Sequence, residues 1–236
     1  MTSTLCIVSR PRAIEDFLLL RPQLQALLVE VETLAQASLC WDGSSEIGGA
    51  MCSLIENGVP TIRYRELSEA GVAEELMHLR LALFGLQLSY PANRHLIAQT
   101  ATLLQNVVHH HVIYPVLIEW GYQPSISECK SIAKQLLALE DSSDLARTTT
   151  DPELEALMAT LYARGQLDCG DTEVISRLEH VFSAEALNGA RQLGNRLISS
   201  IQNQTDPTPG ACRETLVACL KVLGLSNMIT ISPGHA

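Results

Sequence analysis

The stretch GVAEELMHLRL, residues 71–81, places Glu74 and His78 four positions apart with Glu75 beside them. On a helix, positions i and i+4 lie one turn apart on the same face, so a carboxylate oxygen and an imidazole nitrogen there can reach one cation. A second glutamate next to that pair stands where a general base would activate metal-bound water. The chain's other concentration of imidazoles is His109, His110 and His111, in QNVVHHHVIYP. Successive helical residues point about 100° apart, so at most one or two of the three can face a single metal. The same residues also admit a plainer reading, in which Glu74 and Glu75 form a solvated helix face and His78 hydrogen-bonds a neighbour.

These side chains need elements to hold them. Ser68 is an N-cap candidate with Glu69 in the first turn, and the helix it opens should run to Phe84 and stop at Gly85. Upstream, two apolar runs flank Asn57-Gly58, the dipeptide that suits a tight hairpin turn, and Ile62 and Tyr64 alternate with Arg63 and Arg65 as in a strand with one wet face. Leu24, Leu27, Leu28, Val31 and Leu34 predict an amphipathic helix over residues 22–37. Another is expected from Ala92 to Ile113, with a break or kink at Tyr114-Pro115.

Beyond EWGYQPS the pattern is helical throughout. Leu154, Leu157, Met158 and Leu161 share one face, as do Ile175, Leu178, Val181 and Phe182. NQTDPTPGA (203–211) reads as a linker before a last helix through Leu223, and MITIS as a short edge strand. The expected fold class is α+β, mostly helical, with a small β-hairpin or sheet in the first half.

Composition excludes several functions. The 236 residues carry 16 basic against 26 acidic side chains, a formal charge of -10, which argues against broad nucleic-acid binding. FLLLRPQLQALLVEVETLA is interrupted by Arg21, Pro22, Gln23 and Gln25 and fails as a membrane span. The N-terminal MTSTLCIVSRPRAIEDF has no apolar run before a cleavage site, so no signal peptide is read. Seven scattered cysteines contain no C-x-x-C pair, so neither a zinc ribbon nor a disulfide framework is signalled. A cytoplasmic protein with reduced thiols is the expectation. Glu75-x-x-His78 has no second Glu-x-x-His to complete a di-iron bundle, and neither a phosphate-binding loop nor a G-x-S-x-G elbow occurs.

The order of helix, hairpin, PTIRYRE and the EELMH helix resembles small bacterial zincin-like metallopeptidases of the H-E-L-L-H kind. QNVVHHHVIYP is similar to their downstream segment DN-x-L-E-H-x-V-I-x-P. The resemblance covers residues 45–122 at the level of motifs. It departs at two places: Glu74 stands for the first histidine, and His109 for the glutamate that supplies the third ligand. The resemblance therefore implies a permuted zinc (Zn) site of Glu74, His78 and His109, with Glu75 as catalytic base and His110 or Tyr114 as oxyanion donor or supporting partner. It implies a zincin-like domain over 1–124 with a helical extension over 125–236, and hydrolysis of a peptide or protein substrate. The alternative is a non-catalytic, pseudoenzyme-like protein that binds a protein partner or forms a homodimer through its C-terminal helices, with no nucleic acid or membrane as partner.

Overall fold

A computed structural model describes residues 10–43, 51–140 and 151–232, leaving out the side chains of 125, 127 and 138–140. Cys6 and the first residues of the run preceding the hairpin lie outside the described residues. The chain is mostly helical α+β, as its patterning suggests, and forms two compact units, one through Gly85 and one spanning Leu86–Ser232.

In the first unit, α1 (Arg12–Leu20) and α2 (Pro22–Ala35) precede a three-stranded sheet of β1 (Cys40–Asp42), β2 (Met51–Glu56) and β3 (Val59–Tyr64). Arg21 divides the two helices because Pro22, lacking an N–H, is suited to begin α2 and unsuited to continue α1. The hairpin forms at Asn57-Gly58, where both residues take positive φ, 52° and 82°, as the primed turn requires. The sheet order is β1-β3-β2, with β1 parallel and β2 antiparallel to β3. Arg63 on the central strand meets Asp42 at 3.2 Å and Glu56 at 2.6 Å, one carboxylate from each neighbouring strand. Helix α3 (Glu69–Leu81) starts where Ser68 Oγ accepts from Gly71 N at 3.1 Å. It ends before a wider turn in which Gly85 takes φ 80°. Val72, Ala73, Leu76 and Leu79 of α3 are buried, as are Leu24, Leu28 and Val31 of α2, which packs against it.

The second unit contains β4 (Leu88–Ser89), α4 (His95–Glu119), α5 (Ser125–Glu140), α6 (Pro152–Asp168), α7 (Thr172–Val181), α8 (Asn188–Gln202), α9 (Pro209–Val222) and β5 (Thr230–Ile231). Its centre is α6, capped by Asp151, whose carboxylate accepts from Glu153 N and Leu154 N. Residues 156–165 are buried on every side, among α4, α5, α7 and α8. The sequence suggested a single apolar face on this helix. The surrounding helices bury it instead all round, which small residues such as Ala156, Ala159, Ala163 and Gly165 permit.

One further expectation is corrected here. Helix α4 passes through Pro115 and continues to Glu119 without a break. Pro115 itself is exposed, while Ile113, Tyr114 and Leu117 beside it are buried, and their burial holds the helix across a missing N–H that costs about 3 kcal/mol. The stretch MITIS does pair, its Thr230–Ile231 running antiparallel to Ser89 and Leu88. Among the described residues, no helix is long and apolar enough to cross a membrane.

Candidate metal centre

The first unit holds Glu74, Glu75 and His78, all half-buried on α3. Glu74 and His78 share a face by their four-residue spacing. The Glu75 carboxylate is close enough to β2 that its charge helps raise the pKa of the Cys52 thiol, behind the larger effect of burial.

In the second unit, α4 presents its three histidines to different surroundings. His109 is fully buried, and its Nε2–H donates to the Leu86 carbonyl at 3.2 Å. Burial holds it neutral and pushes its pKa down to about 3. His111 is half-buried and donates from Nε2 to the Gln204 carbonyl at 3.2 Å. His110 is 2% exposed, and its Nδ1–H donates to Asp168 Oδ2 at 2.8 Å. The Tyr114 ring, one turn further along, stacks on the His110 ring with centroids 4.4 Å apart.

Asp168 sits at the end of α6, 3% exposed. Burial raises its pKa, more strongly than the bond from His110 lowers it. Arg164, one turn earlier, pairs through Nη2 with Glu128 of α5. Its Nε stands 3.9 Å from Asp168 Oδ2, beyond hydrogen-bond reach. His110, Glu128 and Asp168 bring their ligand atoms within 4.8 Å of one another, a buried cluster that could hold a metal ion.

The charge inventory of this cluster is informative. Glu128 and Asp168 carry two negative charges when ionised, and Arg164 neutralises one. The remaining charge can be met by a proton shared between Asp168 and His110, or by a cation in their place. One imidazole and two carboxylates are acceptable ligands for zinc and its neighbours. A cation has two ways to use them. It can bind at Nδ1 together with both carboxylates, displacing the proton and loosening Arg164. It can instead meet His110 at Nε2, with Asp168 fixing the ring from behind as carboxylates do for metal-bound histidines.

The structure thus sets His110 among carboxylates and engages the Nε2 of His109 with backbone. Glu128, Arg164 and Asp168 were not singled out in the sequence. The signal for two of them was present: Arg164 and Asp168 lie four apart on a helix whose neighbouring positions are apolar, which marks a buried ion pair. Nothing local ties either to His110, which is 58 residues distant from Asp168. An apolar cavity of about 550 Å³ opens among α4, α5 and α6, lined by Tyr90, His95, Gln99, Leu103, Leu157 and Met158 among others. It is of a size for a small ligand, yet none of its lining residues belongs to the charged cluster, so it provides no cleft over that cluster. No family model, curated protein or solved structure matches the chain.

Proposed function

We propose that this protein is a metal-dependent hydrolase of zincin-like type that binds zinc at His110 and cleaves a peptide or protein substrate. The observation that carries the metal part is the buried His110–Asp168 pair at 2.8 Å, the arrangement that fixes tautomer and ring orientation in metal-bound histidines. A zinc ion there would supply a polarised water and a Lewis acid for a scissile carbonyl. The hydrolase part rests on the resemblance of the EELMH helix to that of zincin-like peptidases, which implies Glu74 and His78 as ligands and Glu75 as base.

The test is the zinc content of untagged, full-length protein by elemental mass spectrometry. Wild type should carry near-stoichiometric zinc, and His110→Gln should lose it. Asp168→Asn should weaken binding about 10- to 100-fold if Asp168 supports from behind. Glu128→Gln separates the two binding modes, abolishing binding at Nδ1 and leaving binding at Nε2 intact. The zincin-like reading requires more. Glu74→Gln and His78→Gln must also lose zinc, while Glu75→Gln must keep it and lose about 100-fold or more of any peptidase activity. Zinc retained in the Glu74 and His78 variants would end the zincin-like reading and leave the His110 centre standing.

A second reading is favoured by Arg164, which already neutralises Glu128 without a cation. On that reading the cluster is a structural ion network. The protein then acts by binding a protein partner, or a second copy of itself, through C-terminal helices that expose Ile126 and Val217. A metal-free, well-folded wild type would select it.

A further inference from the structure

We propose that the cavity among α4, α5 and α6 is a binding site for a small, uncharged aromatic molecule that carries one hydroxyl group. Three observations carry this. The first is the apolar wall: Leu157, Met158 and Leu161 of α6 are buried, and Leu103 of α4 continues the surface they make. The second is charge: among the described residues, no lysine, arginine, aspartate or glutamate lines the cavity. An ion entering it would lose hydration and meet no opposite charge. The third is Gln135 of α5, which lines the cavity and has its side-chain oxygen Oε1 buried with no hydrogen-bond partner.

Buried polar atoms are nearly always paired, so an orphaned one calls for a physical reason. A leucine would complete this wall better if nothing but water ever entered, whereas a glutamine suits a wall that meets a hydroxyl. The last torsion of a glutamine side chain is broad, so the amide can turn Oε1 towards a donor carried in from the cavity. The guest's hydroxyl then donates to Oε1 while its apolar body covers Leu157, Met158 and Leu161. At the exposed rim, Tyr90 and His95 set two rings beside the opening, which suits a flat guest. The volume, about 550 Å³, lies in the range of small-molecule sites and exceeds the roughly 150 Å³ in which a dry apolar cavity holds benzene. The lining shares no residue with the His110 cluster, so the inference is independent of any metal and of the hydrolase reading.

The experiment is equilibrium dialysis of full-length protein against three probes of one shape: 2-naphthol, naphthalene and 2-naphthoate. 2-Naphthol should bind one-to-one with a Kd on the order of 10 µM. Naphthalene, lacking the hydroxyl, should bind about 10-fold more weakly, and the 2-naphthoate anion about 10-fold more weakly or worse. Gln135→Leu should reduce 2-naphthol to the affinity of naphthalene and leave naphthalene itself unchanged. Ala98→Phe, which puts a ring into the cavity from α4, should lose both neutral probes. Thr102→Phe, at an exposed lining position, makes the same test should circular dichroism show Ala98→Phe unfolded. Absence of saturable 2-naphthol binding to folded wild type would overturn the proposal. So would equal affinities for 2-naphthol and naphthalene, 2-naphthoate binding as tightly as 2-naphthol, an equal loss of both neutral probes in Gln135→Leu, or binding that survives in a folded phenylalanine variant.

Discussion

His110 and Asp168 share a proton where neither meets water, and His109 beside them is kept from having a second one at all. The two carry opposite signs in a stability-versus-pH measurement. His109 has its pKa depressed to about 3 against an ordinary 6.5. The unfolded chain therefore takes up a proton that the folded chain refuses, and stability present above 6.5 is lost as pH falls towards 3. The slope is about 1.4 kcal/mol per pH unit inside that window. Urea midpoints from pH 7 to pH 4 should show it, and His109→Gln should flatten it; an unchanged slope in that variant would assign the effect to other groups. Asp168 has a raised pKa, so its contribution is complete below the unfolded value and declines as pH rises through the folded one. Removing it, as in Asp168→Ala, leaves His110 and Arg164 each without one carboxylate partner. Breaking one side of a buried charged pair costs about 3–5 kcal/mol, which chemical denaturation would measure directly.

Among the elements, local chemistry was legible and distant chemistry was not. The Asn57-Gly58 turn and the Ser68 cap are decided by residues within four positions of one another, and both form as their sequences suggest. Strand β1 is three residues long and exists only because Cys40–Asp42 pair in parallel with Thr61–Arg63, so no short window reveals it. Helix α1 stands next to a proline and offers few periodic positions. Pro115 misled in the other direction, because its local preference is outweighed by burial that only the folded unit supplies. The crossing of α6 and α8 tests how tight that packing is. A Cβ on Gly194 would sit 2.6 Å from Tyr162 Cδ1 and 2.9 Å from the Ala159 carbonyl oxygen. The carbonyl belongs to backbone and cannot swing aside. Gly194→Ala should therefore destabilise by about 1–3 kcal/mol despite alanine's better helix propensity, as thermal unfolding would show. A neutral or stabilising result would mean that the two helices can separate by a few tenths of an ångström at no cost.

For the whole molecule, the candidate metal becomes a stability question. A cation that binds only the folded chain adds about 2.7 kcal/mol at a hundredfold excess over its Kd, or roughly 5–10 °C for a chain of this size. Differential scanning calorimetry with and without zinc should show that rise in wild type and no rise in His110→Gln. Because binding must displace protons from histidine and carboxylate, the gain should shrink at lower pH. At this scale the sequence disclosed an acidic, mostly helical chain and a suspicious triplet of histidines. It did not disclose which histidine meets a carboxylate, since that depends on how α4 rotates against α6, and 100° per residue turns three adjacent side chains to three different neighbours.

The pairing of β4 with β5 has one more consequence. Ser232 N donates to the Gln87 carbonyl at 2.9 Å, and Ser89 and Ser232 hydroxyls meet at 3.0 Å, so the second unit begins and ends at the same place. A chain whose ends already touch can be rejoined there and opened elsewhere. The exposed stretch from Asn203 to Thr208, between α8 and α9, is the natural place for the new ends. The order in which these helices are written is therefore not essential to their packing: a circular permutant of the second unit should preserve the contact of His110 with Asp168.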